Sequence, residues 1–248
     1  MKREQRRGAS STLMTLLLLV GFFTLGVKYL NLEEAFSPFV EKWQSWLEDG
    51  SAVLPTLGKG NRASGPAVAI LYAHPGQCYG REDIHGPGEI VQVGEELARS
   101  LEERGIEVLQ YSDNPASSYA EAKEQIGSLA QELRKQHPSL KLVLDLHRDA
   151  APETVRHTYK LAVSEGGAER KLARLQFILP QGEKELVLLA GKLWSRAEEK
   201  YPGLLRGMVR TGTSEVLTVM VGDWQANTLS EAKASARLLA ELLGDVLN

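Results

Sequence analysis

The sequence predicts an α/β protein with a mostly parallel sheet and helices on both faces, and three observations carry that expectation. Several apolar runs are short and continuous rather than alternating: AVAILYA at 67–73, the Leu142-Val143-Leu144 core with Leu146, and LTVMV at 217–221. Strands that read this way are buried on both faces, as the strands of helix-covered parallel sheets are. Between the runs lie longer segments with apolar residues at helical spacing, such as Ile90, Val93, Leu97 and Leu101. Their alternation from Ala67 onward is the pattern of strand–helix units whose right-handed crossovers lay helices on a parallel sheet.

Taken in order, the domain starts near Pro66 and runs to residue 248. A strand at 67–73 leads into a Gly-rich polar loop at 75–87, then a helix at about 89–104 that stops at Gly105. A strand follows at 106–111. Ser118 and Glu121 have the spacing of a capping box, so a helix is expected from there to Gln136, before Pro138. The central strand, KLVLDLHRDA at 141–150, comes next. Beyond it the pattern loosens, with short strands at 159–163 and 176–179 joined around Gly166-Gly167, and a helix at 183–200 ended by Tyr201-Pro202-Gly203. LTVMV is the last strand, ending on Gly222-Asp223. Thr228 and Glu231 form a second capping box, opening a helix that turns Leu238, Leu239, Leu242, Leu243 and Val246 to the core.

The N-terminal region differs in composition. Lys2, Arg3, Arg6 and Arg7 precede an apolar run from Leu13 to Val27, and Tyr29 and Leu30 extend it. Such a stretch reads as a transmembrane anchor at 12–30, with residues 1–11 in the cytoplasm and the remainder outside. A cleaved signal peptide is the competing reading, although no small-x-small cleavage site follows. Residues 31–65 hold an amphipathic piece with Phe36, Phe39, Val40, Trp43 and Trp46, then a Gly-rich linker. The expected location is therefore the cell membrane, single-pass, with the domain extracytoplasmic. A net charge of -3 carries no basic excess, which argues against nucleic acid as a partner. The single cysteine, Cys78, excludes an intrachain disulfide framework.

Chemistry concentrates at strand ends. His74 ends the first strand and His147 the central one, at the carboxyl edge where open α/β sheets bind ligands. Two imidazoles in that context suggest a zinc site, which for hydrolysis takes three N or O ligands and one water. Glu89, at a helix start that favours a carboxylate, is the third candidate; His85, Glu82 and Asp83 compete with it. The plain alternative is that each histidine caps its strand and bonds backbone. Asp145 or Asp149 could orient a ligand imidazole through its second ring nitrogen, and Asp149 could equally pair with Arg148 or Arg156. His137 and His157 read as surface residues, and Cys78 as structural.

In these residues and in several longer segments, the sequence resembles the stage II sporulation protein P family. The likeness runs from about Ala67 to Leu247, and its most specific piece is LVLDLHRDA at 142–150. VGEELARSLEERGIEV at 93–108, SSYAEAKEQI at 117–126, KYPGLLRGMV at 200–209 and NTLSEAKASARLLAELL at 227–243 add to it, as does the N-terminal anchor. The resemblance implies a membrane-anchored peptidoglycan hydrolase with the fold of zinc-dependent N-acetylmuramoyl-L-alanine amidases, cutting between muramic acid and stem peptide. Peptidoglycan, the membrane and other sporulation membrane proteins are the partners it implies, and Zn²⁺ the cofactor. A glycan-cleaving activity is also ascribed to the family.

Two motifs depart from the family. Its Tyr-His-Thr-His-Thr-x-Glu-x-Tyr reads LYAHPGQCY here, so Tyr72 stands for the first His, His74 keeps the second, and Gln77 replaces the Glu. Its Ile-Glu-Val-Gly reads Val219-Met220-Val221-Gly222, and methionine cannot transfer a proton. A positioned acid–base group contributes about 10²–10⁴ in rate. Asp223 and Glu215 are the candidates to stand in for it. Two readings follow. In one the chain is an active amidase, with His74, His147 and Glu89 on zinc; in the other it keeps the fold and binds peptidoglycan without cutting. A carboxypeptidase-like reading would need Arg148 or Arg210 to clamp a substrate carboxylate.

Overall fold

The first three strands set the position of everything else. In the computed structural model, which describes residues 65–112, 119–165, 168–212 and 215–247, β1 (Val68–Leu71) is followed by α1 (Glu89–Glu102), β2 (Val108–Tyr111), α2 (Tyr119–Gln136) and β3 (Leu142–Asp149). The expected anchor at 12–30, the segment after it to residue 64, Ser118 of the first capping box and the Gly166-Gly167 turn lie outside the described residues. β1 has β2 on one side and β3 on the other, both parallel to it. The chain therefore leaves β1 in one direction and returns to its far side, and right-handed crossovers of that kind put successive helices on opposite faces. Val68, Ile70 and Tyr72 pack against Ile90, Val93, Leu97 and Leu101 of α1, while Ala69 and Leu71 pack against Ala122, Ile126 and Leu133 of α2. Each buried leucine or isoleucine contributes about 1.5–3 kcal/mol.

Beyond β3 the chain forms a 3₁₀ helix (Glu153–Tyr159), an antiparallel hairpin of β4 (Lys160–Glu165) and β5 (Ala168–Ala173), then β6 (Leu175–Pro180), α3 (Lys184–Lys200), β7 (Leu205–Gly212), β8 (Leu217–Asp223) and α4 (Leu229–Leu247). The six-stranded sheet runs β2-β1-β3-β8-β6-β7, with β8 parallel to β3, β6 antiparallel to β8, and β7 parallel to β6. The pair of strands expected at 159–163 and 176–179 is thus three strands, and the first two form a separate small sheet. β7 went unforeseen because LRGMVRTG is an edge strand. Its Val209, Arg210 and Thr211 are exposed, so it shows no continuous apolar run.

The capping box at the start of α4 forms as expected. The Glu231 N–H donates to Thr228 Oγ1 at 3.3 Å, and the Thr228 N–H donates to Glu231 Oε2 at 3.1 Å. α1, α3 and α4 share one core on one face of the sheet, whereas α2 alone packs on the other. On that second face Thr218, Met220, Gln176 and Ile178 stay half-buried.

Candidate functional site

The β1/β3 boundary is where the chain reverses its direction of travel across the sheet, and the carboxyl ends of strands at such a point are where open α/β sheets bind ligands. His74, just beyond β1, and His147, near the end of β3, face each other there, with ring centroids 5.5 Å apart and planes at 70°. His147 is buried and shares its Nε2 with Asp145 Oδ2 at 2.7 Å; Asp145 Oδ1 accepts the Ala73 N–H at 3.0 Å. The carboxylate thus ties the end of β1 to the imidazole of β3. With Asp145 ionised, His147 donates from Nε2 and keeps Nδ1 for a ligand. Burial, and next the neighbouring His147 ring, hold His74 below the ordinary imidazole value of 6.5, against the pull of Asp145 and Asp83. His74 is therefore a neutral lone-pair donor at neutral pH.

The third expected ligand is elsewhere. Glu89 Oε2 accepts the Tyr79 N–H at 2.8 Å and Oε1 pairs with Arg81 at 3.1 Å, so the carboxylate at the start of α1 closes the loop above it. Of its competitors, His85 and Glu82 are exposed, and Asp83, which acts on His74, pairs with Arg148 and accepts the Cys78 N–H. Gln77, at the position of the family's glutamate, accepts the Arg148 N–H through Oε1 at 2.9 Å. It fastens the 75–87 loop to β3. Arg148 adds to that seam by donating from Nε to the Cys78 carbonyl at 2.7 Å and lying over the Trp224 ring. Tyr79 completes it, its hydroxyl donating to the Val221 carbonyl at 2.7 Å. Among the described residues no group of three His, Cys, Asp or Glu is placed to hold a metal ion. The residues present supply two imidazoles and an orienting carboxylate, which is short of the three-ligand set a hydrolytic zinc needs.

Tyr72, at the position of the family's first His, points to the opposite face. It is fully buried against α1, where its hydroxyl donates to Gln110 Oε1 at 2.9 Å and a Cβ on Gly94 would stand 1.7 Å from it. A residue there is part of the core.

The proton-transfer candidates separate as well. Met220 is the register partner of His147, so the family's glutamate position does adjoin the imidazole, and a thioether occupies it. Glu215 precedes β8 at the far end of the sheet, where its carbonyl accepts from Arg134 of α2 at 3.0 Å. Asp223 lies at the correct edge but its oxygens are filled. Oδ2 accepts the Ala151 N–H at 2.7 Å, Oδ1 accepts those of Gln225 and Ala226 at 3.0 and 2.8 Å, and Arg156 Nε is 3.6 Å away. It is wholly buried.

Two residues past His147 a second cluster begins, which composition and spacing did not announce. The β3/β8 register jumps from His147↔Met220 to Asp149↔Asp223, so β8 carries an extra residue, and Gly222 takes the bend with φ +64°. A Cβ there would meet Asn227 Oδ1 at 2.5 Å and Ala173 Cβ at 2.8 Å. The bulge sets Asp149 beside Asp223. Asp149 Oδ2 accepts from the Tyr159 hydroxyl at 2.5 Å and from Arg206 at 2.7 Å, and Arg206 also donates to Gln176 Oε1 at 2.5 Å while lying 4.0 Å from the Tyr159 ring centroid. Burial, then the bond to Asp149, push the Tyr159 hydroxyl well above the ordinary phenol range, so it stays a donor. Asp149 thus pairs with Arg206, where Arg148 or Arg156 was expected. The signal was out of reach of spacing, because Arg206 lies 57 residues further along the chain.

A family model for stage II sporulation protein P matches residues 33–244. No curated protein matches. Among solved structures the chain is similar to the N-acetylmuramoyl-L-alanine amidase AmiC2 of Nostoc punctiforme, at 13% identity and TM-score 0.44 over 74% of this chain and 96% of that one. It is similar also to the CwlD amidase from Clostridioides difficile, solved in complex with the GerS lipoprotein, at 11% identity and TM-score 0.46 over 73% and 100% of the two chains. A third is the N-acetylmuramyl-L-alanine amidase Ami1 of Mycobacterium abscessus, at 8% and 0.45 over 73% and 99%. The family match spans both motifs that carry the histidine pair and most of the chain besides, and the chain belongs to the stage II sporulation protein P family.

Proposed function

We propose that this chain is a peptidoglycan-binding member of its family that acts in sporulation, in which the histidine pair holds substrate and no longer cuts it. The observation that carries this reading is the fate of the two replaced acids. Gln77 is built into the seam between the 75–87 loop and β3, and Met220 fills the place beside His147 where an acid–base group is expected. Glu89 and Asp223, two carboxylates expected to replace them, are engaged with backbone N–H groups and arginines. Binding needs the crevice and its donors; hydrolysis needs in addition a group free to take a proton. The apolar run at 12–30 supports attachment to the cell membrane with the domain outside, within reach of the wall and of other membrane proteins of sporulation.

One observation favours the second reading, an N-acetylmuramoyl-L-alanine amidase cutting between muramic acid and stem peptide. His74 and His147 face one another with Asp145 orienting one of them, an arrangement that would serve as the two-imidazole part of a zinc site. The full-length chain in mild detergent, incubated with purified peptidoglycan and zinc, separates the two. The binding reading expects co-sedimentation with the wall and no new amino-terminal alanine by mass spectrometry. Release of stem peptides that stops in His147→Ala would establish the amidase.

A further inference from the structure

Beside the histidine pair, Arg206 and Arg156 form a site that neither the expected ligand set nor the expected proton-transfer group includes. Each is positioned by one member of the register pair at the β3/β8 end: Arg206 by Asp149 at 2.7 Å, Arg156 by Asp223 at 3.6 Å. Strands in register stand about 4.8 Å apart, so the two anchoring carboxylates are neighbours. Tyr159 links the two elements that carry them. Arg156 and Tyr159 are three residues apart in the 3₁₀ helix, where side chains at that spacing lie one above the other, and Arg206 stacks on the Tyr159 ring at 4.0 Å. The Nε atoms of both arginines are buried without a hydrogen-bond partner among the described residues, while the side chains remain 16% and 25% exposed, so an external ligand reaches the guanidinium groups at their outer nitrogens. Arg174, whose guanidinium donates to the Gly203 and Thr158 carbonyls, is held below the ordinary arginine range by burial and then by Arg206. Arg174 is in turn acted on by Glu198, so Arg206 and Arg156 face the Asp149 and Asp223 carboxylates one to one.

We propose that Arg206 and Arg156 form a carboxylate-binding subsite, and that its ligand is a free carboxylate of the peptidoglycan stem peptide. The assignment rests on the peptidoglycan-binding reading above. Asp149 is two residues past His147, about 7 Å along the strand, so a peptide carboxylate seated on the arginines leaves the peptide's amino-terminal end beside the imidazoles. Guanidinium groups suit this ligand because their planar donors match the two oxygens of a carboxylate.

The test uses the full-length chain in mild detergent, with an N-acetylmuramyl tripeptide as the free acid and as its methyl ester, by isothermal titration. The expected result is binding of the acid about tenfold or more tighter than the ester, with Arg156→Gln and Arg206→Gln each removing that difference. Arg156→Gln is the cleaner variant, since Arg206 also braces Tyr159 and Gln176, and unchanged thermal melting shows that it folds. Equal affinity for acid and ester, or a preference for the acid that survives both substitutions, would overturn the subsite. So would binding of inorganic phosphate that depends on both arginines without discrimination between acid and ester, which would assign the site to a phosphate-bearing wall polymer. Co-sedimentation with intact peptidoglycan is measured in parallel. If the wild-type chain sediments yet does not discriminate acid from ester, the subsite fails and the binding reading stands; if it does not sediment, both fail.

Discussion

The carboxyl edge of the sheet holds two clusters two residues apart on β3, and they are built on opposite principles. At the β1/β3 boundary two imidazoles face each other around one orienting carboxylate, and the acids the family places beside them are an amide and a thioether. At the β3/β8 boundary two carboxylates are crowded with donors, and the guanidinium groups they hold have donors to spare. The first cluster has the shape of a catalytic site without its proton-transfer group. The second has the completeness of a structural network that opens onto solvent at one corner. In the proposed reading, loss of a catalytic acid and retention of a binding edge are separable, because different strand pairs build the two clusters.

The largest effect should come from the second cluster. Asp223→Ala removes the partner of three backbone N–H groups and of Arg156, and should cost about 3–5 kcal/mol in denaturant unfolding, with Asp223→Asn costing less. A cost below about 1 kcal/mol would show the network to be peripheral. In the first cluster Asp145→Ala strands the Ala73 N–H and the His147 ring, and about 2 kcal/mol is expected. The tie between β1 and β3 would then be the weaker of the two.

A smaller effect is read from pH. His74 is held below 6.5 in the folded chain and returns to that value on unfolding, so the unfolded state binds the proton more readily. The stability due to its neutral form is complete above about pH 6.5 and is lost as pH falls through that value toward the lower folded one. The slope of stability against pH in this window should be shallower in His74→Gln by up to one proton. An unchanged slope would mean that the crevice does not exclude the charged imidazole. The smallest effect is expected for Met220→Leu, below about 1.5 kcal/mol and with peptidoglycan co-sedimentation unchanged, since a half-buried thioether beside His147 contributes only packing.

How much of this was legible in the sequence differs between the same two clusters. The continuous apolar runs of β1, β3 and β8 and the helical periodicity of α1 and α4 fixed which strands are central. That alone brought His74 and His147 to one edge, since both end such runs. Thr228 and Glu231 could be read because a capping box is local chemistry over three residues. β4 was expected at 159–163, but β7 and β5 could not be read, for β7 sits at the sheet edge and β5 exposes Glu169, Arg170 and Lys171, so no apolar run separates them from loop. Arg206 came into view only with them. Glu89 illustrates a different limit: spacing located it at a helix start near His74, but which donors its carboxylate meets is decided by the path of the 75–87 loop, where Tyr79 and Arg81 reach it first.

In the proposed reading the histidine pair lacks a third ligand because Glu89 is committed to the loop. Zinc content after equilibrium dialysis of the full-length chain against dilute zinc tests it most directly. The expected result is well under one zinc per chain, unchanged in Glu89→Gln. One zinc per chain, lost on Glu89→Gln and on His147→Ala alike, would contradict it, for the carboxylate would then leave Tyr79 and Arg81 to complete a metal site.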